Sequence, residues 1–182
     1  MGLFDKFKRQ RQQKNSDEVM DEIIAWNINN AQDEETRRYY EAQADKQYQA
    51  ALSAFYAIST EIKETYTVIN NVSSFVGADG DNLIERCFAA INLDNSIKEK
   101  RDYYDSAKYE YCEPYKILAM VHEKRGDYHR AATTCLSALQ NGYTRDGTSG
   151  GMRGRLARMI KKGNLQITEE MREKLNIQGE QQ

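Results

Sequence analysis

The stretch CEPYKILAMVHEKRGDYHRAATTCLSALQNGY, Cys112 to Tyr143, decides the fold. Pro114 stands where a first helical turn tolerates a missing N–H. Tyr115, Leu118, Ala119 and His122 then recur at helical spacing. The pattern ends near Arg125, where Gly126-Asp127 turns the chain into a second helix from Tyr128 to about Gln140, stopped by Asn141-Gly142. Two helices joined by so short a turn fold back on one another. Ala119, Ala131 and Ala138 let the backbones approach, while Tyr115, Leu118 and Leu139 fill the space between them.

This hairpin resembles a tetratricopeptide repeat. The repeat's W-x2-L-G-x2-Y…A-x3-F pattern is met by Tyr115, Leu118, Ala119 and His122, then Ala131 and Cys135, with Ala138 as the second small residue. His122 replaces an aromatic, Cys135 replaces a large side chain, and Tyr143 stands where the family often has proline. One unit of roughly 34 residues is covered. A repeat length upstream, Ile84 and Phe88 fit, but Arg101 falls on a core position, so a regular tandem array is not expected. The resemblance implies a protein-binding scaffold.

Outward from the hairpin the chain reads as helix almost throughout. From Asp33 to about Val72 there is neither glycine nor proline. Tyr48, Leu52, Phe55, Ile62, Tyr66 and Ile69 recur at helical steps, with Ser59 in the one polar slot. Only a helix puts these on one stripe, which must be buried within the chain or in a coiled coil. Ser16 caps a shorter helix carrying Val19, Met20, Ile23, Ile24 and Trp26, and Asn27–Asn30 reads as the following turn. Gly77 to Asn82 is turn chemistry, with an N-cap at Asp81 or Asn82 opening a helix from about Leu83 to Leu93. Asp94-Asn95-Ser96 reads as a turn into a helix from Ile97 to Tyr111. Gly147, Gly150 and Gly151 make a flexible lead into a basic helix with Leu156, Met159 and Ile160 on its apolar side.

The expected fold is therefore all-α: a helical bundle or long helical hairpin with a C-terminal tetratricopeptide-like unit. The expected parts are a basic flexible N-terminus (1–15), a long-helix part (16–76), a tetratricopeptide-like part with the basic helix (77–176) and a flexible tail (177–182). One proline in 182 residues argues against an all-β fold and against disorder. No apolar run approaches the roughly 18 residues of a membrane span, and three cysteines suit a reducing, cytoplasmic setting.

The net charge of −2 hides a strong asymmetry. Residues 1–15 carry five bases against Asp5; residues 16–110 carry nine bases against nineteen acids; residues 145–162 carry six bases against Asp146. An acidic body thus lies between two basic segments, a distribution that steers encounters with charged partners.

The motifs of chemistry are missing. Asp79-Gly80-Asp81 lacks the ligand spacing of a calcium loop. The glycines after Tyr143 lack the Lys-Ser/Thr of a P-loop. Cys112, His122, His129 and Cys135 lack the close pairing of a structural zinc site, and Cys87 reads as a buried core thiol. No catalytic residue, cofactor site or metal site is expected, and the chain reads as a non-enzyme. Candidate partner- or phosphate-binding residues are Arg145, Arg153, Arg155, Arg158, Lys161 and Lys162. A candidate protein-binding face comprises Tyr103, Tyr104, Tyr109 and Tyr111. Leu3, Phe4 and Phe7 among basic residues suit a membrane-surface or partner-ordered segment, and Lys6 stands where N-myristoylation at Gly2 needs Ser or Thr.

The expected function is docking on another protein, as a small regulator or inhibitor. Compact size, helical content and the acidic body give a general likeness to small phage-encoded anti-CRISPR proteins, which inhibit RNA-guided Cas nucleases. A nucleoprotein effector of that kind is one candidate partner. Nucleic acid bound by residues 145–162, and a homo-oligomer through the 48–69 stripe, are alternatives.

Overall fold

The computed structural model describes residues 16–72, 75–105 and 109–176. Eight α-helices, packed in antiparallel pairs, hold 80% of them. They are α1 (Ser16–Asn30), α2 (Glu34–Ala44), α3 (Lys46–Val72), α4 (Ala78–Tyr104), α5 (Glu113–Lys124), α6 (Tyr128–Gln140), α7 (Gly151–Gly163) and α8 (Glu169–Leu175). The one β feature among the described residues is an isolated bridge between Tyr111 and Arg145. No helix among them is long and apolar enough to cross a membrane. The expectations for residues 1–15 and 177–182 lie outside the described residues.

The chain divides into two compact units, Met1–Ser53 with Ile97–Lys108, and Ala54–Ser96 with Tyr109–Gln182. In the first, α1 and α2 form a hairpin, and a small core of Ala42, Tyr48 and Ile97 is completed by Leu52 and Tyr104. In the second, one continuous core joins Phe55, Ile62 and Ile69 to Leu83 and Cys87, and on through the 112–143 hairpin to Met152, Leu156 and Met159. The 48–69 stripe is therefore buried within the chain, Tyr48 and Leu52 in one core and Phe55 to Ile69 in the other. The surface that a homo-oligomer would take from this stripe is already used.

The hairpin matches its reading closely. Asp127 caps α6 by accepting from the Arg130 amide at 3.0 Å, and Ala119, Ala131, Ala132 and Ala138 are fully enclosed. Alanine at these positions allows close approach, and α7 presses equally close: a Cβ on Gly163 would lie 2.6 Å from that of Tyr128.

Elsewhere the structure corrects the local reading. The Asn27–Asn30 turn is helical, and Asn30 Nδ2 donates to the Trp26 carbonyl at 2.7 Å. The turn follows it, and Asp33 caps α2 through the Thr36 amide at 2.7 Å. The expected single helix from Asp33 to Val72 breaks at Asp45 (φ −77°, ψ 83°), whose carboxylate accepts from the Tyr48 amide at 2.9 Å and starts α3 anew. An internal Asp is a good N-cap when its side chain can compete for backbone amides.

Helix α4 begins at Ala78, three residues before the expected cap, with the Asp81 amide donating to the Gly77 carbonyl at 3.0 Å. It runs straight through Asp94-Asn95-Ser96. Asp94 there is fully buried and accepts from the Tyr143 hydroxyl, so a tertiary bond overrides turn propensity. Helix α4 ends at Tyr104, not Tyr111, and Arg145 donates its amide to the Glu110 carbonyl at 2.8 Å.

The glycine-rich lead into α7 is pinned, not loose. Asp146 is buried and accepts from the Thr148 amide and hydroxyl at 2.9 and 2.6 Å. The Met152 amide donates to Thr144 O at 2.9 Å. Gly151 has φ +55°, and a Cβ there would lie 2.3 Å from the Thr144 carbonyl oxygen, so only glycine fits.

Candidate interaction surfaces

An open groove of about 800 Å³ lies between α4, α5 and α6 in the second unit. Each wall follows from helical periodicity. Ile84, Phe88 and Ile91 on α4, Tyr115, Leu118 and His122 on α5, and His129, Thr133 and Ser137 on α6 each share a face. The adjoining face of α4, about 100° around the helix, carries Leu83, Cys87 and Ala90 into the core, which leaves Phe88 half exposed in the groove at 50%. The volume lies within the range of binding clefts, whose walls are mainly apolar with a few polar groups.

Thr133, Thr134 and Tyr115 are engaged within the fold, and His122 differs from them. His122 is buried, and its Nδ1 has no hydrogen-bond partner among the described residues. Burial lowers its pKa, Asp127 opposes this, and Arg130 and Arg125 add to it. The imidazole is thus held neutral. Thr133 and Thr134 spend their hydroxyl protons on the His129 and Arg130 carbonyls. Asn141 fixes the Tyr115 hydroxyl by donating to it at 3.1 Å.

The groove wall is held by directional contacts. Arg125 donates Nε to the Phe75 carbonyl at 2.7 Å and pairs with Asp81 at 2.8 Å. Gly80 sits beneath that carbonyl; a Cβ there would lie 1.9 Å from the Phe75 oxygen. Tyr143, directly after the α6 turn, holds Asp94 beside Ile91 and Asn92 on α4.

The six expected basic residues separate into two groups. Arg155 is buried, with Nε 2.9 Å from Asp146 and a terminal nitrogen 3.1 Å from Glu123. Burial pushes the Asp146 pKa up, but Thr148 and Arg155 outweigh it and leave the carboxyl below its ordinary value. Lys162 pairs with Glu123 at 2.7 Å. Arg145, Arg153, Arg158 and Lys161 remain exposed. Helix α7 contains no acid, and Arg153, Arg158 and Lys161 lie on its outward side.

The four tyrosines are divided between the units. Tyr103 donates to Glu41 at 3.1 Å beneath the Arg38 guanidinium. Tyr104 packs against Tyr48 with the rings tilted by 56° and donates to Asp45 at 3.0 Å, and burial followed by that bond pushes its pKa up to about 12. Tyr109 and Tyr111 lie on the extended segment before α5, and Tyr111 donates to Glu113 and accepts from Lys116. They do not share one helix face, because α4 ends before the second pair.

Of the four residues weighed as zinc ligands, Cys112, His122 and Cys135 are buried and His129 is exposed on α6. Desolvation pushes the Cys87 and Cys135 thiols up to about 12, which suits packing residues. The sequence reading did not single out Phe88 as a surface residue. Its signal was there: Leu83 and Cys87 use one α4 face, while Ile84 and Phe88 sit about 100° around the helix.

Comparison with protein-family models, curated proteins and solved structures finds no match to this chain.

Proposed function

We propose that this protein is a non-enzymatic helical docking protein, a small regulator or inhibitor that grips another protein in the α4–α6 groove. The observation that carries this reading is Phe88, half exposed in a groove whose walls are otherwise fixed by the core. A large exposed aromatic over a preformed cleft is a natural anchor, since few residues supply most of the energy of an interface. The resemblance of the 112–143 hairpin to a tetratricopeptide repeat points the same way.

The test compares wild type with Phe88→Asp as bait in native host extract. A partner held by wild type and released by the variant, with circular dichroism unchanged, supports the reading. Equal retention by both, or no partner retained by wild type, refutes it. An anti-CRISPR version, resting on the acidic 16–110 body, predicts that the protein blocks DNA cleavage by a purified Cas effector; unaffected cleavage across several effectors ends that version.

A second reading draws on the outward face of α7, where Arg153, Arg158 and Lys161 are exposed on a helix with no acid. Such a face suits nucleic-acid phosphates. Binding would weaken with salt, and neutralising all three would lower the slope of log affinity against log salt by about 2–3. Salt-independent binding would dismiss it.

A further inference from the structure

Asn141-Gly142 is the chain's one Asn-Gly pair, and it closes α6. Gly142 takes φ +87°, the left-handed conformation that a helix end asks of the residue after its cap. Its amide donates to the Leu139 carbonyl at 3.2 Å, and the Tyr143 amide donates to the Ala138 carbonyl at 2.9 Å. The Asn141 side chain folds back on the helix, where Nδ2 donates to the Ser137 carbonyl at 3.0 Å and to the Tyr115 hydroxyl at 3.1 Å. Asn95 of α4 hydrogen-bonds the same hydroxyl. One side-chain amide thus ties α6 to α5 at the groove wall that Tyr115 helps to form.

The glycine that closes the helix also makes Asn141 reactive. Without a Cβ, the Gly142 nitrogen can come close to the Asn141 side chain, and the space a Cβ would take is open. The reaction joins the Gly142 nitrogen to Asn141 Cγ in a five-membered succinimide. The Cγ–Nδ2 bond breaks, and Nδ2 leaves as ammonia with the proton of the Gly142 amide. Water then opens the ring at one carbonyl or the other, giving aspartate or isoaspartate. In the closed helix end both reacting groups are engaged, the Gly142 N–H by Leu139 and Nδ2 by Ser137 and Tyr115. Attack therefore waits for the last turn of α6 to open, and helix ends open at far lower cost than a core. The product cannot restore the closed state. A carboxylate has no proton to give the Ser137 carbonyl, and it adds negative charge at a helix C-terminus.

We propose that Asn141-Gly142 is a site of spontaneous deamidation, gated by opening of the α6 C-terminus, whose product weakens the tie between α6 and Tyr115. This stands whether or not the α4–α6 groove binds a partner.

The full-length protein is aged at mildly alkaline pH in oxygen-18 water and digested for mass spectrometry, where a heavy oxygen at residue 141 counts each conversion. In denaturing urea, Asn141 should react faster than every other asparagine of the chain. In the folded protein its rate should fall about tenfold or more, the scale of a local opening. Urea below the unfolding transition should hardly change that folded rate, because opening one helix turn exposes little surface. Tyr115→Phe, which removes an acceptor of Nδ2, should raise the folded rate about threefold or more. Asn141→Asp, which fixes the product, should lower the folding equilibrium constant about tenfold or more in urea unfolding. Five outcomes overturn the proposal. They are an Asn141 rate in the unfolded chain no higher than that of other asparagines, equal folded and unfolded rates, and a folded rate that climbs in step with global unfolding. The others are a Tyr115→Phe rate equal to wild type, and an Asn141→Asp protein as stable as wild type.

Discussion

Gly80→Ala sets local propensity against packing, and the two predict opposite signs. Gly80 lies in the first turn of α4, on backbone that any residue adopts. On propensity alone, alanine should stabilise the helix by about 1 kcal/mol. In the structure, a Cβ at that position lies 1.9 Å from the Phe75 carbonyl oxygen and 2.6 Å from an Arg125 nitrogen. Contacts below 3.0 Å do not persist, so the Phe75 oxygen must retreat by at least 1.1 Å. That carbonyl accepts from Arg125 Nε at 2.7 Å, and a retreat of that size endangers the bond. Losing a hydrogen bond to a charged donor costs about 1.5–3 kcal/mol, and overpacking adds about 1–3 kcal/mol. Set against the propensity gain, the net loss is about 1.5–5 kcal/mol.

Gly154→Ala on α7 is the matched control. Its Cβ would meet only an Arg158 nitrogen at 3.9 Å, an ordinary contact, so alanine there should stabilise by about 1 kcal/mol. Urea unfolding followed by helical circular dichroism measures both. A Gly80→Ala protein as stable as wild type, or more so, would refute the packing argument, and Gly154→Ala shows whether propensity alone is at work.

Arg155→Ala strands Asp146 in the core without its partner and should cost about 3–5 kcal/mol by the same urea assay, whereas Arg153→Ala should change stability by less than about 0.5 kcal/mol. His122 has a folded pKa below its ordinary 6.5, so its contribution is fully present above that value and lost as pH falls; His122→Leu should flatten stability between neutral pH and mild acid. Asp146 has a folded pKa below the ordinary 3.8; its contribution is present above that value and disappears in stronger acid, a limb that Asp146→Asn should remove. Cys87 and Cys135, with thiols pushed up to about 12, should resist a thiol reagent near neutral pH until the chain is unfolded; prompt native-state labelling of either would contradict their burial. Tyr143→Phe should cost about 1–3 kcal/mol, since it withdraws a donor from a buried carboxylate, and equal melting of variant and wild type would contradict the Asp94 contact.

What was legible in the sequence was what short-range chemistry decides. Pro114, Gly126-Asp127 and Asn141-Gly142 punctuate α5 and α6 unambiguously, and the alanines between them can only mean close helices. The stripe from Tyr48 to Ile69 was legible for the same reason, although its two ends enter different cores. The errors fall on Asp and Asn. Such residues favour caps and turns when their side chains face their own backbone. Asp45 does so and breaks a helix that looked continuous. Asp94 instead meets a hydroxyl 49 residues away, and the helix runs on. Nothing local distinguishes the two. Within the basic segment, Arg155 is taken up by Asp146 and by Glu123, the latter 32 residues away on another helix; spacing along α7 shows charge but not which charge is neutralised.

A single two-helix hairpin cannot bury both of its faces alone, and here the neighbouring elements are fastened to the 112–143 hairpin by directional polar contacts as well as by apolar packing. Tyr143 holds Asp94, Arg125 holds the Phe75 carbonyl and Asp81, and Arg155 holds Asp146 and Glu123. Apolar surfaces tolerate sliding by a fraction of a turn, whereas a buried ion pair or a bonded carbonyl does not. Two of these three contacts fix α4 or the segment leading into it against the hairpin, and α4 supplies the Phe88 wall of the groove. The wall is therefore set before any partner arrives, so docking need not order it.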